Sequence, residues 1–149
     1  IVVPVLIELR KISGHRISLF SGVDFNVEKE KGLSGFCDYI ISASTEQMYV
    51  SSPIISVVEA KNDNIKSGYA QCIAEMIASG IFNQREGNHI KTIYGIVTTG
   101  SLWKFLKLEE KVYIDVEEYH IRQPEKIMGI LLDMIKLEKM KQIDRISCS

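Results

Sequence analysis

The chain is poor in cysteine and proline, with 3 of each, and it has only 1 tryptophan. Cys37, Cys72 and Cys148 are scattered and odd in number, and they form no CxxC or Cys/His cluster. This pattern argues against a disulfide framework and predicts a reducing, cytoplasmic location. A long apolar run is also lacking, because the apolar opening of the chain ends at Glu8 after 7 residues. That is too short to span a bilayer, so we expect no membrane partner.

An excess of charge of one sign is lacking as well, with 18 basic residues (Lys and Arg) against 19 acidic ones (Asp and Glu). The net charge therefore gives no sign of nucleic-acid binding, and any basic surface has to be local. With 149 residues, 46% of them hydrophobic, the chain can bury a core without disulfides. We expect a single domain over residues 1–149. Because the sequence begins at Ile1 rather than Met, we also expect that upstream residues are missing from it.

Hydrophobic periodicity predicts the element order α, β, β, β, α, β, β, β, α. The predicted elements are a helix within 1–12, a strand or hairpin over 16–27, strands over 35–43 and 54–61, a helix over 65–82, strands over 92–98, 102–108 and 112–116, and a helix from 124 to about 146. Ser21 and Gly22 are interpreted as a turn, and the alternation in 102–108 predicts a half-exposed strand. Trp103, Lys104 and Lys107 on that strand are candidates for contact with nucleic acid, but we interpret the tryptophan as packed and the lysines as solvated. The fold class is therefore α/β or mixed α+β, with a central mixed sheet flanked by helices.

Charged residues lie in two strands that are predicted to form part of the hydrophobic core. The predicted strand at residues 54–62, IISVVEAKN, ends in Glu59 and Lys61, which share one face with their Cα atoms about 6.6 Å apart. Asp38 lies inside the preceding apolar strand, where burial without a partner is costly. Two carboxylates with a backbone carbonyl and water suit a hard divalent cation, most plausibly Mg²⁺. A lysine beside that cation can hold a water molecule or stabilise developing negative charge.

The helix after this strand carries two further polar groups. Gln71 and Glu75 are four residues apart, so they lie on one stripe of the helix. Gly68, Ala78 and Ser79 are small residues near that stripe. Such an edge can border a groove, and the alternative is an ordinary hydrated edge.

Together these residues resemble the PD-(D/E)xK phosphodiesterase superfamily, which has the restriction-endonuclease-like fold. The similarity consists of Asp38, 20 intervening residues, Glu59-Ala60-Lys61, and then Gln71 and Glu75 on the next helix. It covers about residues 8 to 108. Two departures are that no proline precedes Asp38 and that Glu75 stands where some nuclease branches have tyrosine.

The resemblance implies roles for these residues. Asp38 and Glu59 would bind Mg²⁺, for which Mn²⁺ can substitute, and the Ala60 carbonyl would join them. Lys61 would position the water that attacks a DNA phosphodiester. Gln71 matches a helix glutamine found in several branches and completes the catalytic set.

One more metal ligand is a weaker candidate. Glu8, on the predicted first helix, matches an acidic residue that some members of the superfamily carry there. A second E-x-K triplet at residues 109–111 lies between two alternating strands and is typical of a solvated hairpin turn, so we give it no role.

We therefore expect a Mg²⁺-dependent nuclease, restriction- or defence-associated, that acts on DNA, with RNA as the alternative substrate. As partners we expect a second copy of the chain or the rest of a larger multidomain enzyme. One alternative is an inactive domain of the same fold that serves as a nucleic-acid-binding or assembly module. A metal-dependent phosphoesterase for small substrates is another. In the simplest alternative, Lys61 merely forms a partly buried ion pair with Glu59 or Asp38.

Overall fold

A mixed sheet of seven strands carries three helices in the structure, a computed structural model that describes residues 2–28, 33–44, 50 and 53–147. The helices are α1 (Val2–Ile12), α2 (Tyr69–Arg85) and α3 (Pro124–Ser147), and the strands are β1 (Ser18–Glu28), β2 (Leu33–Ser42), β3 (Ile54–Ala60), β4 (Ile93–Thr98), β5 (Leu102–Leu108), β6 (Val112–Ile114) and β7 (Tyr119–His120). A 3₁₀ turn at Ile65–Gly68 leads directly into α2. The predicted order of elements is confirmed, and β7 is an addition to it.

The strands lie in the order β1-β2-β3-β4-β5-β6, and β7 pairs with β5 beside β6. All neighbouring pairs are antiparallel except β3 and β4, which are parallel and are connected through α2. A parallel pair needs such a crossover, because its strands run in the same direction. The carboxyl end of β3, which carries Glu59, therefore lies beside the carboxyl end of β4 and close to the start of α2.

The core has two layers because helices cover both faces of the sheet. Val58 and Ile96 pack with residues of α1 and α3, whereas their neighbours Val57 and Val97 pack with residues of α2. Adjacent residues of a strand point to opposite faces, so α1 and α3 lie on one face and α2 on the other. Six of the seven β3 residues are buried as a result, as expected of a strand covered on both sides.

Two predictions about the strands are wrong. Ser21 and Gly22 do not form a turn, because β1 continues through them and pairs with β2 on both sides, at Ser21 with Tyr39 and at Val23 with Cys37. Strand β5 is not half-exposed either, since four of its residues in succession, residues 103–106, are buried. Both faces of β5 are covered, which an alternating pattern alone does not reveal. Loop positions 29–32 and 45–49 and Cys148 lie outside the described residues.

The two described cysteines, Cys37 and Cys72, are buried free thiols. Among the described residues, no helix is both long enough and apolar enough to cross a membrane.

Candidate active site

Asp38 and the Glu59-Ala60-Lys61 triplet meet where β2 and β3 stop pairing. The ladder between these strands ends at Tyr39 and Val58, one residue before Asp38 and Glu59 would face each other. In place of a further main-chain hydrogen bond between the strands, Asp38 Oδ2 accepts a hydrogen bond of 2.9 Å from the Ala60 main-chain N–H. The fold thus brings together an acid and a triplet that are separated by 20 residues in the sequence.

The backbone around Asp38 departs from regular strand geometry. Cys37 and Ile40 both belong to the α2-side layer, although strict alternation would place residues three apart on opposite faces. Gly22, on the neighbouring strand and opposite Asp38, has φ +62°. That left-handed conformation is one that glycine adopts readily. The β1–β2 pair is therefore irregular beside Asp38, although its pairing continues on both sides, at Ser21 with Tyr39 and at Val23 with Cys37.

A main-chain hydrogen bond and the packing of its aliphatic side chain both hold Lys61 beside Glu59. Its main-chain N–H donates to the Thr98 carbonyl oxygen at 2.8 Å, which continues the β3–β4 pairing past the end of β3. Its Nζ lies 3.6 Å from Glu59 Oε1, and its side chain is 27% exposed. Gly68 leaves room for the stem, because a Cβ at that position would lie 3.2 Å from Lys61 Cγ. The ammonium group can therefore reach both Glu59 and solvent.

Glu59 and Glu75 form a buried pair of acids. Glu59 is 3% exposed and Glu75 5%, and their carboxyl groups lie close enough to interact. The Oε2 atom of each is buried, and no donor is present for it in the described part of the chain. Burial and the Asp38 charge raise the pKa of Glu59, although the Lys61 ammonium opposes the rise. Burial and the Glu59 charge raise the pKa of Glu75 to about 8.

Gln71 connects α2 to the rest of the site. Its Nε2 donates to Glu75 Oε1 at 3.2 Å and to the Phe36 carbonyl oxygen at 3.4 Å, on the strand that carries Asp38. Gln71 is itself exposed. The structure therefore gives Gln71 contacts that position Glu75 and β2. The alternative of a hydrated helix edge is wrong for Glu75, which faces the interior.

A divalent cation fits the donor set around Glu59. Two buried oxygens, one each of Glu59 and Glu75, lack donors within the described residues. Burial raises the pKa of both acids, and the Asp38 charge adds to the rise at Glu59 as the Glu59 charge does at Glu75. In the described ranges, however, no three Asp, Glu, His or Cys side chains form a ready metal cage. Magnesium sites in proteins usually keep several waters and bind the ion through one or two carboxylates.

Glu8 lies apart from this arrangement of α2 and β3. It is exposed on α1, which packs on the opposite face of the sheet through Leu6 and Leu9. The metal-binding roles of Glu8 and of the Ala60 carbonyl stay predictions.

Sequence reasoning gave Cys37 no role, named Glu75 only as a polar group on the Gln71 stripe, and interpreted Lys104 as a solvated lysine rather than a nucleic-acid contact. Glu75 carried a usable signal, because it lies four residues after Gln71 on the same helix stripe. The Cys37 thiol lies near Glu75, and burial and the Glu75 charge raise its pKa, which makes it an unreactive neighbour. Lys104 is buried on the same face of the sheet as Glu59. Only the covering of that face by α2 distinguishes it from a surface lysine.

Comparison with protein-family models, with curated proteins and with solved structures finds no match to this chain. The geometry of the site and the sequence pattern therefore carry the functional argument.

Proposed function

We propose that this protein is a Mg²⁺-dependent nuclease that hydrolyses DNA phosphodiester bonds on a restriction-endonuclease-like fold. The hydrogen bond between Asp38 and the Ala60 N–H carries the proposal, because it joins the isolated acid to the E-x-K triplet. The element order from α1 to β4, with β3 parallel to β4 across α2, supports the same fold. The buried, unsatisfied oxygen of Glu59 supports a cation beside it.

In this proposal Asp38 and Glu59 hold Mg²⁺, Mn²⁺ can replace it, and the Ala60 carbonyl and water complete the coordination. When bound, the ion supplies polarisation of a phosphoryl oxygen and neutralisation of negative charge. Lys61 holds the attacking water by donating a hydrogen bond from its ammonium group, which is partly exposed and lies beside Glu59. Gln71 and Glu75 position the Glu59 carboxyl group from α2.

Cleavage assays test this function directly. The wild-type protein is incubated with plasmid, single-stranded DNA and RNA in Mg²⁺ and in Mn²⁺, beside Lys61→Ala and Lys107→Ala. Lys107 is a matched control, because it pairs with Glu109 at 3.3 Å on an exposed part of β5. We expect cleavage by the wild type and by Lys107→Ala, and loss of at least 100-fold in Lys61→Ala, as is usual for a group that stabilises the transition state (about 10²–10³). The proposal fails if the wild type cleaves no substrate faster than Lys61→Ala in either metal.

A non-catalytic nucleic-acid-binding or assembly module is the second candidate. The observation that favours it is the direct approach of Lys61 Nζ to Glu59 Oε1, which is also what a simple ion pair would give. Mn²⁺ titration separates the two: a binding site that is lost in Asp38→Asn would exclude a purely structural role for the acids. Asparagine is the appropriate replacement, since its amide oxygen can still accept the hydrogen bond from Ala60.

A further inference from the structure

Lys104 is a buried lysine in the middle of β5. It is 7% exposed and is flanked in the chain by the buried aromatic residues Trp103 and Phe105, which point to the opposite face. Lysine is rarely buried this far without a carboxylate partner, because removing its charge from water is costly. Its position therefore calls for an explanation in terms of an anion.

The sheet register aligns Lys104 with the candidate active site. Glu59 on β3 pairs with Val97 on β4, and Val97 pairs with Lys104 on β5, so the three side chains form a row on the α2 face. Two strand spacings place the Cα atoms of Glu59 and Lys104 about 10 Å apart. Gly68 lies against Val97 and the aliphatic part of the Lys61 side chain. Because glycine has no side chain, it places none between Lys61 and Lys104.

Lys104 has no compensating charge in the part of the chain that the structure describes. The other lysines of this region do have one, as Lys61 lies beside Glu59 and Lys107 beside Glu109. Buried polar side-chain atoms that lack a partner are confined, in those same ranges, to one oxygen each of Glu59 and Glu75. The Lys104 ammonium is not among them, so it reaches solvent while its stem is buried. A cation held in this way is ready to meet an external anion.

We propose that Lys104 binds a backbone phosphate of the nucleic acid, next to the phosphate that is held at Asp38, Glu59 and Lys61. This inference rests on the proposed function, because a nucleic acid in that site presents a row of phosphates. Each strand carries one phosphate per about 3.4 Å of helix axis, so a neighbouring phosphate falls within the distance between Glu59 and Lys104. The lysine ammonium acts as a point charge on the phosphate, so this contact does not depend on the base sequence.

The salt dependence of binding tests the proposal. Ca²⁺ replaces Mg²⁺, and the affinity for a short fluorescein-labelled duplex and for its single strand is measured by anisotropy over a range of salt concentrations. The variants are Lys104→Met, Lys104→Gln and, as the matched control on the same strand but the opposite face, Lys107→Met. Loss of one phosphate contact reduces the magnitude of the negative slope of log K against log salt by about 0.9 for duplex or about 0.7 for single strand. We expect this decrease in both Lys104 variants and not in Lys107→Met.

The outcomes are distinguishable from those of the cleavage assay. A wild type that cleaves DNA, together with Lys104 variants of unchanged slope, would overturn the Lys104 proposal and leave the nuclease intact. A wild type that binds but never cleaves, with a slope lowered in both Lys104 variants, would support the phosphate contact and refute the nuclease. Absence of wild-type binding to either probe would overturn both proposals. Thermal melts establish that each variant is folded, and Lys104→Met should melt no lower than the wild type, because it removes an uncompensated charge.

Discussion

Glu59 and Glu75 place their carboxyl groups in contact inside the protein, one from the end of β3 and the other from α2. Two acids in contact need either a proton or a cation between them, because two buried negative charges repel. The buried Oε2 atom of each acid has no donor among the described residues, so either a proton or a cation can bind there. The first two predictions follow from that choice.

In the absence of metal, the stability of the protein should fall as pH rises from about 4.5 to about 8. Burial and the Glu59 charge raise the pKa of Glu75 from 4.5 to about 8, so the folded state holds a proton that the unfolded state has lost. The stabilisation is complete below the unfolded pKa and disappears as pH passes the folded one. The free energy of unfolding should therefore decrease by up to about 1.4 kcal/mol per pH unit in this window, as measured by denaturant unfolding in EDTA.

Glu75→Gln should flatten this pH profile, because glutamine does not titrate. Some slope should persist, since the pKa of Glu59 is raised as well. Glu86→Gln is the matched control, as Glu86 is exposed just after α2 and should leave the slope unchanged. A wild-type stability that is flat between pH 5 and 8 would contradict the buried acid pair.

A divalent cation should take the place of that proton and stabilise the folded protein. At a Mn²⁺ concentration 100 times its Kd, the expected gain is about 2.7 kcal/mol for the wild type, read from the midpoint of denaturant unfolding. Asp38→Asn should lose most of this gain, because it removes one of the two carboxylate ligands. The gain should be larger at pH 8 than at pH 6, since cation and proton compete for the same oxygens. An equal gain in wild type and Asp38→Asn would place the ion elsewhere.

Replacing Gly68 with alanine should disturb Lys61. The φ of −91° at Gly68 suits any residue, so the difficulty is only one of space. An added Cβ would lie 2.7 Å from Val97 Cγ1 and 3.2 Å from Lys61 Cγ, so one of these side chains must move. We expect Gly68→Ala to cost about 1–3 kcal/mol in stability and to reduce cleavage.

Gly80→Ala is the paired control for this substitution. It lies inside α2, where an added Cβ meets nothing within 4 Å, so it should stabilise the protein by about 0.5–1 kcal/mol without changing activity. If Gly68→Ala were as stable and as active as Gly80→Ala, the close packing around Lys61 would be wrong.

Asn83 should be among the most important polar residues for stability. Its buried side chain accepts from the Ile54 N–H at 2.8 Å and donates to the Ile54 carbonyl oxygen at 2.9 Å, which joins the last turn of α2 to the start of β3. Asn83→Ala leaves both backbone groups unpaired, at a cost of about 2–4 kcal/mol in urea unfolding. The exposed neighbour Gln84→Ala should change stability by less than about 0.5 kcal/mol, and similar values for the two variants would disprove the role of Asn83.

The sequence by itself determined the order of the elements and the chemistry at the end of β3. Helical and strand periods are local properties, so they located α2, the β3 strand and the start of α3 at Pro124 within a few residues. The same two-residue period placed Glu59 and Lys61 on one face, and the four-residue spacing placed Gln71 beside Glu75. These relationships depend only on geometry within one element.

Only the tertiary structure decided how those elements meet. The contact of Asp38 with Ala60 arises because β2 pairs with β3 only from Tyr39 onward, one residue after Asp38, and no local pattern encodes that register. The burial of Glu75 and Lys104 arises because α2 covers that face of the sheet, whereas an isolated polar residue on a helix or strand is most often solvated. Gly22 stays within β1 because strand pairing on both sides outweighs its preference for a turn. Strand pairing and the packing of a helix on a sheet join residues that are far apart in the sequence, so neighbouring residues cannot specify them.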